Sequence, residues 1–106
     1  RTAPADQRAG SEHRSLLVEA EWLRTLGRFN RAIRKYEEAV AAAREYGFIQ
    51  DAALASELMA ELLVETSNGK AASTHLQAAI DGYRIWGADA KVKDLETRYA
   101  GLLAAS

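Results

Sequence analysis

Residues 27 to 39, Gly27-Arg28-Phe29-Asn30-Arg31-Ala32-Ile33-Arg34-Lys35-Tyr36-Glu37-Glu38-Ala39, decide the fold of this chain. A glycine here is placed to end one helix, and an aromatic residue follows it two positions later. Ala32, Tyr36 and Ala39 then fall on one face of the next helix, where small side chains let a neighbouring helix come close. The stretch therefore predicts the turn and second helix of a helical hairpin, the unit of a helical repeat.

Length and composition restrict the chain to one small domain. Its 106 residues, 48% of them apolar, suffice for a single hydrophobic core. A net charge of -1 gives no positive field to recruit nucleic acid or anionic lipid, so we expect neither partner. The sequence has no cysteine and no apolar run near the ~20 residues that span a bilayer. We expect a cytoplasmic protein without membrane insertion, cut from a longer parent because it begins at Arg1.

Outside the opening stretch, the pattern predicts a linker over residues 1–11 and a helical domain over residues 12–106. Residues 1–11 contain the only proline and no apolar period, and Ser11 is expected to cap a helix that starts near Glu12. That helix should end at Leu26. The further helices are expected at residues 29–46, at residues 51–66, from the turn 67–70 to residue 86, and from about residue 88 onward, with a doubtful last turn at Gly101.

The first of these helices has two apolar sides. One side contains Leu16, Ala20 and Leu23, and the other contains Val18, Trp22 and Leu26. A helix of this kind is expected to pack between two neighbours.

The third helix is apolar nearly all round except for a ridge of Glu57, Glu61 and Glu65. Like charges at this spacing repel each other, so basic side chains of this chain or of a partner should face them. Gly82 weakens the fourth helix and is tolerable if it permits a close helix approach.

The turn glycines at residues 27, 47, 69 and 87 divide the chain into segments of about twenty residues. A shift of forty residues aligns the second helix with the fourth, including Tyr46-Gly47 with Trp86-Gly87. A shift of forty-two aligns the first helix with the third and Gly27 with Gly69. The fifth helix then reads as a half-repeat that covers the last open face.

The opening stretch resembles a tetratricopeptide repeat, because Gly27, Phe29, Ala32, Tyr36 and Ala39 match the second half of that motif at the expected spacings. The apolar positions of its first half are weaker. The repeat is also longer than the standard thirty-four residues, as in elongated variants of the motif.

From about residue 28 to the end, the chain is similar to a narrower class. The resemblance is carried by residues 32–39, by residues 46–58 and above all by the run Trp86-Gly87-Ala88-Asp89-Ala90-Lys91-Val92-Lys93-Asp94-Leu95-Glu96-Thr97-Arg98-Tyr99. The members of this class are very large bacterial signalling proteins that join a serine/threonine-kinase-like domain, an AAA-type ATPase and a helical repeat region to a GAF sensor and often a histidine kinase. The resemblance places the chain at the end of the helical region, next to the sensor. It implies a non-catalytic connecting module, since no kinase or ATPase catalytic residue maps onto the chain.

The sequence offers no pattern for catalysis. His13 and His75 lack metal-ligand spacing and are expected to be solvated or at helix edges. No pocket motif or nucleophile accompanies the carboxylates, so we predict no catalytic, cofactor or metal site. Trp22 and Trp86 are expected to anchor the core. A basic cluster around the first turn comprises Arg24, Arg28, Arg31, Arg34 and Lys35, but glutamates lie next to it and nucleic-acid binding is not expected.

A protein-contact face is expected on the first helix of each hairpin. Its predicted members are Leu17, Glu21, Arg24, Met59, Leu63, Tyr99 and Leu103. This face can form a groove for a peptide, as in a tetratricopeptide adaptor, or be covered by a neighbouring domain or a second copy. We favour a covered face, since a specific groove needs more asparagine, lysine or arginine than these positions offer.

The fold class predicted from the sequence is all-α. Five antiparallel helices, forming two long tetratricopeptide-like hairpins and a terminal helix, are expected to wind into a right-handed solenoid. The predicted function is protein-protein interaction and connection within a bacterial signalling kinase. The main alternative is a homodimerisation module that holds two parent kinases together.

Overall fold

The computed structural model describes the backbone of residues 5–105 and the side chains of residues 12–105. This part of the chain is helical and contains no strand, which confirms the all-α prediction. It has six helices, so the expected number of five is wrong. They are α1 (Ala5–Thr25), α2 (Phe29–Glu45), α3 (Ile49–Glu65), α4 (Gly69–Trp86), α5 (Asp89–Arg98) and α6 (Ala100–Ala104).

Helix α1 begins at Ala5, well before the expected start near Glu12. Ser11 therefore lies inside the helix, and its expected role as an N-cap is wrong. The residues between Ala5 and Gly10 include alanine, glutamine and arginine, which are strong helix formers and carry a helix without an apolar period. The first four residues of the expected linker lie outside the described residues.

The sixth helix arises because the expected fifth helix breaks at Tyr99. This residue leaves helical geometry with φ −115° and ψ 27°, two positions before the expected weak point at Gly101. The flanking turns are kept, since Leu103 N–H donates to the Tyr99 carbonyl at 3.0 Å. The break lets Leu102 pack against both clusters of the hydrophobic core.

Four turns share one geometry at a strict spacing of twenty residues. Gly27, Gly47, Ser67 and Gly87 all have a left-handed φ, of 77°, 79°, 63° and 90°. Each turn is a Schellman motif: in the first, Arg28 N–H donates to the Leu23 carbonyl at 2.8 Å and Gly27 N–H donates to the Arg24 carbonyl at 3.0 Å.

The strict spacing corrects the repeat that was expected from the glycines. Ser67, not Gly69, occupies the position equivalent to Gly27, and Gly69 is the first residue of α4. The shift between α1 and α3 is therefore forty residues and not forty-two. Position by position, Trp22 corresponds to Leu62, and Val18 corresponds to Leu58.

The core consists of two clusters, and α3 contributes to both. The first contains Leu23, Tyr36, Met59, Leu62 and Leu63 among its large side chains. The second contains Leu76, Ile80, Tyr83, Val92 and Leu95. Each of the first five helices contacts the next helix along the chain, and the most extensive contacts join α1 to α2 and α3 to α4.

Gly82 of α4 faces Ala53 of α3. A Cβ added there would lie 3.0 Å from the Cβ of Ala53, so the expectation that this glycine permits a close approach is confirmed.

Candidate interaction surface

The glutamate ridge of α3 is paired with basic side chains of this chain, which is one of the two arrangements expected from the sequence. Arg24 of α1 donates to Glu61 at 3.1 Å and to Glu65 at 2.7 Å. Lys91 of α5 lies 2.9 Å from Glu57. The basic side chains that the spacing of the glutamates requires are therefore supplied by α1 and α5, on either side of α3.

Arg24 is the centre of a partly buried polar cluster that joins α1, α2 and α3. The Tyr36 hydroxyl donates to Glu21 at 2.7 Å and also contacts Arg24. Burial, together with the bond to Glu21, raises the pKa of the Tyr36 hydroxyl. Burial lowers the pKa of Arg24, but its bonds to Tyr36, Glu65 and Glu61 outweigh this effect and the pKa rises. Both side chains therefore keep their protons, and the cluster is a fixed contact between three helices.

A second cluster surrounds Glu57, which is only 6% exposed. The Tyr83 hydroxyl donates to its carboxylate at 2.8 Å, and Arg98 approaches it at 3.7 Å in addition to Lys91. Burial and the bond to Glu57 raise the pKa of the Tyr83 hydroxyl. Because a buried charge is stable only when it is paired, this cluster fixes α5 against α3 and α4.

His13 is buried at 2% exposure, so the expectation of a solvated histidine is wrong for this residue. Its Nε2 lies 2.6 Å from Asp51 of α3, and its ring packs on Phe48 with centroids 4.7 Å apart. The partners are more than thirty positions away in the sequence, and no local spacing signals the contact. His13 therefore connects α1 to the start of α3 through its hydrogen bond with Asp51.

His75 is half-buried and lines a cleft of about 320 Å³ that is formed by α2, α3 and α4. Burial lowers the pKa of His75, and Arg44 adds to this effect while Glu37 opposes it. Ser56 lines the same cleft, and its buried hydroxyl has no hydrogen-bond partner among the described residues.

The residues of the predicted contact face do not form one exposed row. Met59 and Leu63 are buried in the first core cluster, so these two do not face solvent. Tyr99 and Leu103 are half-buried against the second cluster. From α1, Leu17 packs against the first cluster, while Glu21 and Arg24 belong to the polar cluster described above.

The two tryptophans are exposed, so their expected role as core anchors is wrong. Trp22 is 63% exposed on α1, and Trp86 is 58% exposed at the end of α4. Trp22 lies between Val18 and Leu26, which are 69% and 52% exposed at spacings of four residues. These three residues form an apolar strip along α1, the α1 outer stripe. The sequence marked them as a second apolar side of the helix, but the neighbour that was expected to cover this side is not among the described residues.

The predicted basic cluster is partly neutralised. Arg24 is paired with Glu61 and Glu65, and Lys35 lies within 3.6 Å of both Glu19 and Glu38. Because Arg24 and Lys35 are paired with carboxylates, they do not extend the basic surface formed by the remaining arginines of the cluster.

The described side chains include no group of three or more histidine, aspartate or glutamate residues arranged to hold a metal ion. Of the helices in residues 5–105, none has both the length and the hydropathy of a bilayer-spanning segment. Comparison with protein-family models, with curated proteins and with solved structures finds no match for this chain.

Proposed function

We propose that the chain is a non-catalytic protein-interaction and connecting module, built as a short right-handed solenoid of two tetratricopeptide-like hairpins and a terminal half-repeat. Turns of three residues join the first four helices, and each helix packs on the next, which supports antiparallel hairpins. The twenty-residue period of the left-handed turns supports a repeat with one geometry throughout.

The observation that carries this function is the exposure of large apolar side chains at the edges of a helical stack whose buried and partly buried charges are paired within the chain. Trp22 and Trp86 are mostly exposed, whereas Arg24, Glu57 and Lys91 form ion pairs inside the chain. Exposed aromatic residues mark protein-contact sites, because they bury much area at low conformational cost. The edges of the stack are therefore the proposed sites of contact with neighbouring protein.

The proposed context is a bacterial signalling kinase of the multidomain class that the sequence resembles. The segment that carries this resemblance, from Trp86 to Tyr99, includes the left-handed turn at Gly87 and the whole of α5. Trp86 and Ile85 are exposed directly before that turn. In the proposal, this end of the stack contacts the sensor domain and passes a change of state to it.

Hydrogen exchange tests the connecting role. The isolated chain and the full-length parent would be compared amide by amide, with readout at α1 and at the turn around Gly87. We expect slower exchange at both places in the parent, because a neighbouring domain covers the exposed aromatic residues. Equal exchange rates in the two proteins would refute a connecting role.

The alternative function, homodimerisation, is favoured by one observation, the α1 outer stripe, since three apolar residues on one helix can pair with the same three in a second copy. Light scattering at increasing concentration decides between the two functions. A chain that stays monomeric at high micromolar concentration excludes homodimerisation of the isolated module. A peptide-binding groove is less favoured, because a ligand on the α1–α3–α5 side would have to compete with the ion pairs of Glu57, Glu61 and Glu65.

A further inference from the structure

The α1 outer stripe differs from the equivalent positions in the later repeats. Trp22 is 63% exposed, but Leu62, forty residues later, is completely buried, and Leu102, forty residues later again, is partly buried. Val18 is 69% exposed, whereas its equivalent Leu58 packs against the first core cluster. The same face is therefore covered in the second copy of the repeat, at Leu58 and Leu62, and open in the first.

The structure also shows what covers this face when it is covered. Leu62 and Leu58 of α3 lie in or against the first core cluster, to which α1 and α2 contribute most of the other side chains, together with Ala72 of α4 and Leu102 of α6. The α2 members of this cluster include Ala32, Ala39 and Val40, which are small enough to let helices approach closely. The part of the first hairpin that packs on α3 is thus mainly its second helix, α2.

We propose that the α1 outer stripe is the docking surface for a helical hairpin of this same forty-residue class, presented by a protein partner. The proposal rests on the proposed function as an interaction module and names the partner's chemistry. The second helix of that hairpin carries small apolar residues at the positions of Ala32, Ala39 and Val40. They pack over Val18, Trp22 and Leu26 as α2 packs over α3.

A second copy of this chain is a poorer occupant of the stripe. Three partly exposed side chains, one of them aromatic, offer about 300 Å² of apolar surface, on the basis that a fully buried aromatic residue covers roughly 150–250 Å². Two stripes packed on each other would therefore fall short of the roughly 800 Å² that each partner of a stable dimer buries, whereas a hairpin would also cover the residues of α1 beside the stripe. In this chain, α2 is already engaged with α1 and α3, so it is not free to cover the stripe of a second molecule.

The partner is further specified by the polar residues beside the stripe. Glu19 is equivalent to the buried Met59, yet it is a half-exposed carboxylate that Lys35 approaches only at 3.6 Å. Ser15 is equivalent to the buried Ala55 and is also exposed. A docked hairpin must therefore place a basic residue or another hydrogen-bond donor opposite Glu19, which makes this contact more polar than the contact between α2 and α3.

The test uses an extended chain in which a hairpin of known sequence is fused before the original α1. Residues 1–47 are joined to residues 8–106, so that a second copy of α1 and α2 precedes the original α1 at the natural period. Phe replaces Trp22 of the added copy and Trp86, which leaves the original Trp22 as the fluorescent probe. The 106-residue chain with Trp86→Phe is the reference, and Val18→Glu in the original α1 of both chains is the matched control.

We expect the emission of Trp22 to shift to shorter wavelength in the extended chain and the midpoint of urea unfolding to rise in a single transition. Val18→Glu should reverse both effects in the extended chain and leave the 106-residue chain nearly unchanged.

Unshifted emission, a separate transition for the added hairpin, or failure of the extended chain to fold would each overturn the proposal. Concentration-dependent dimers of the 106-residue chain that Val18→Glu abolishes would assign the stripe to a second copy, which overturns the proposed partner but leaves the interaction function standing. If Trp22 is buried in the extended chain but the amides of α1 exchange equally fast in the isolated chain and the full-length parent, the connecting role alone would be refuted.

Discussion

Replacing Ser67 with glycine should stabilise the protein. Ser67 is the one left-handed residue of the four equivalent turns that carries a Cβ, with φ 63° where the others are glycine. A left-handed backbone costs an L-residue about 1–2 kcal/mol. Glycine avoids that cost but loses roughly 0.5–1 kcal/mol in backbone entropy on folding. Ser67→Gly should therefore increase the free energy of unfolding by about 0.5–1 kcal/mol.

The reciprocal substitution provides the matched measurement. Gly27 occupies the equivalent turn, and a Cβ built on it meets no atom within 4 Å, so Gly27→Ser adds backbone strain without a clash. We expect it to destabilise the protein by about the amount that Ser67→Gly stabilises it, and each to move Tm by about 2–8 °C in opposite directions. Urea unfolding followed by circular dichroism measures both, with Ser67→Ala as the control that keeps the strain and removes the hydroxyl. If Ser67→Ala stabilised as much as Ser67→Gly, or if Ser67→Gly lowered Tm, the strain argument would be wrong.

Three further substitutions test the packing and the electrostatics. Gly82→Ala should lower the free energy of unfolding by up to ~2 kcal/mol, because the contact at 3.0 Å with Ala53 outweighs the gain in helix propensity of about 1 kcal/mol. In an Ala53→Gly background, Gly82→Ala should instead stabilise the protein. A loss of stability in that background would contradict the contact argument. Leu63→Asp should cost more than ~3 kcal/mol and abolish helicity in circular dichroism, because it places a charge in the first core cluster; a folded Leu63→Asp variant would show that this position is surface. Burial lowers the pKa of His75 below its usual 6.5, so the unfolded chain binds the proton more tightly and stability falls as the pH drops below about 6.5. Denaturation curves of the His75→Gln variant should show a smaller loss of stability over this pH range. An unchanged loss would exclude His75 as the cause.

Features set by helical period could be predicted from the sequence. Helix α2 was expected at residues 29–46 and is found at residues 29–45. The need for cations opposite Glu57, Glu61 and Glu65 also followed from spacing alone, because these three carboxylates share one face of a helix wherever that helix lies. Their partners Arg24 and Lys91 could not be identified, since the choice depends on how three helices are arranged in space.

Features set by the neighbours of a helix could not be predicted. The apolar character of Trp22 indicated burial, but burial also requires a hairpin on that side, and the described chain has none. The glycine at residue 69 suggested a turn centre two residues too late, because Ser67 adopts a conformation that a glycine would be expected to hold. His13 and Asp51 meet only because α1 lies beside the start of α3.

The packing of each helix on its neighbour along the chain has a consequence for folding and for mechanical load. Contacts between residues close in sequence form with a small loss of loop entropy, so the protein should fold quickly for its size. A force applied to the two ends would act on successive hairpin interfaces in series. In the proposed solenoid, the hairpins should then separate one at a time, and the proposed connecting module would be extensible.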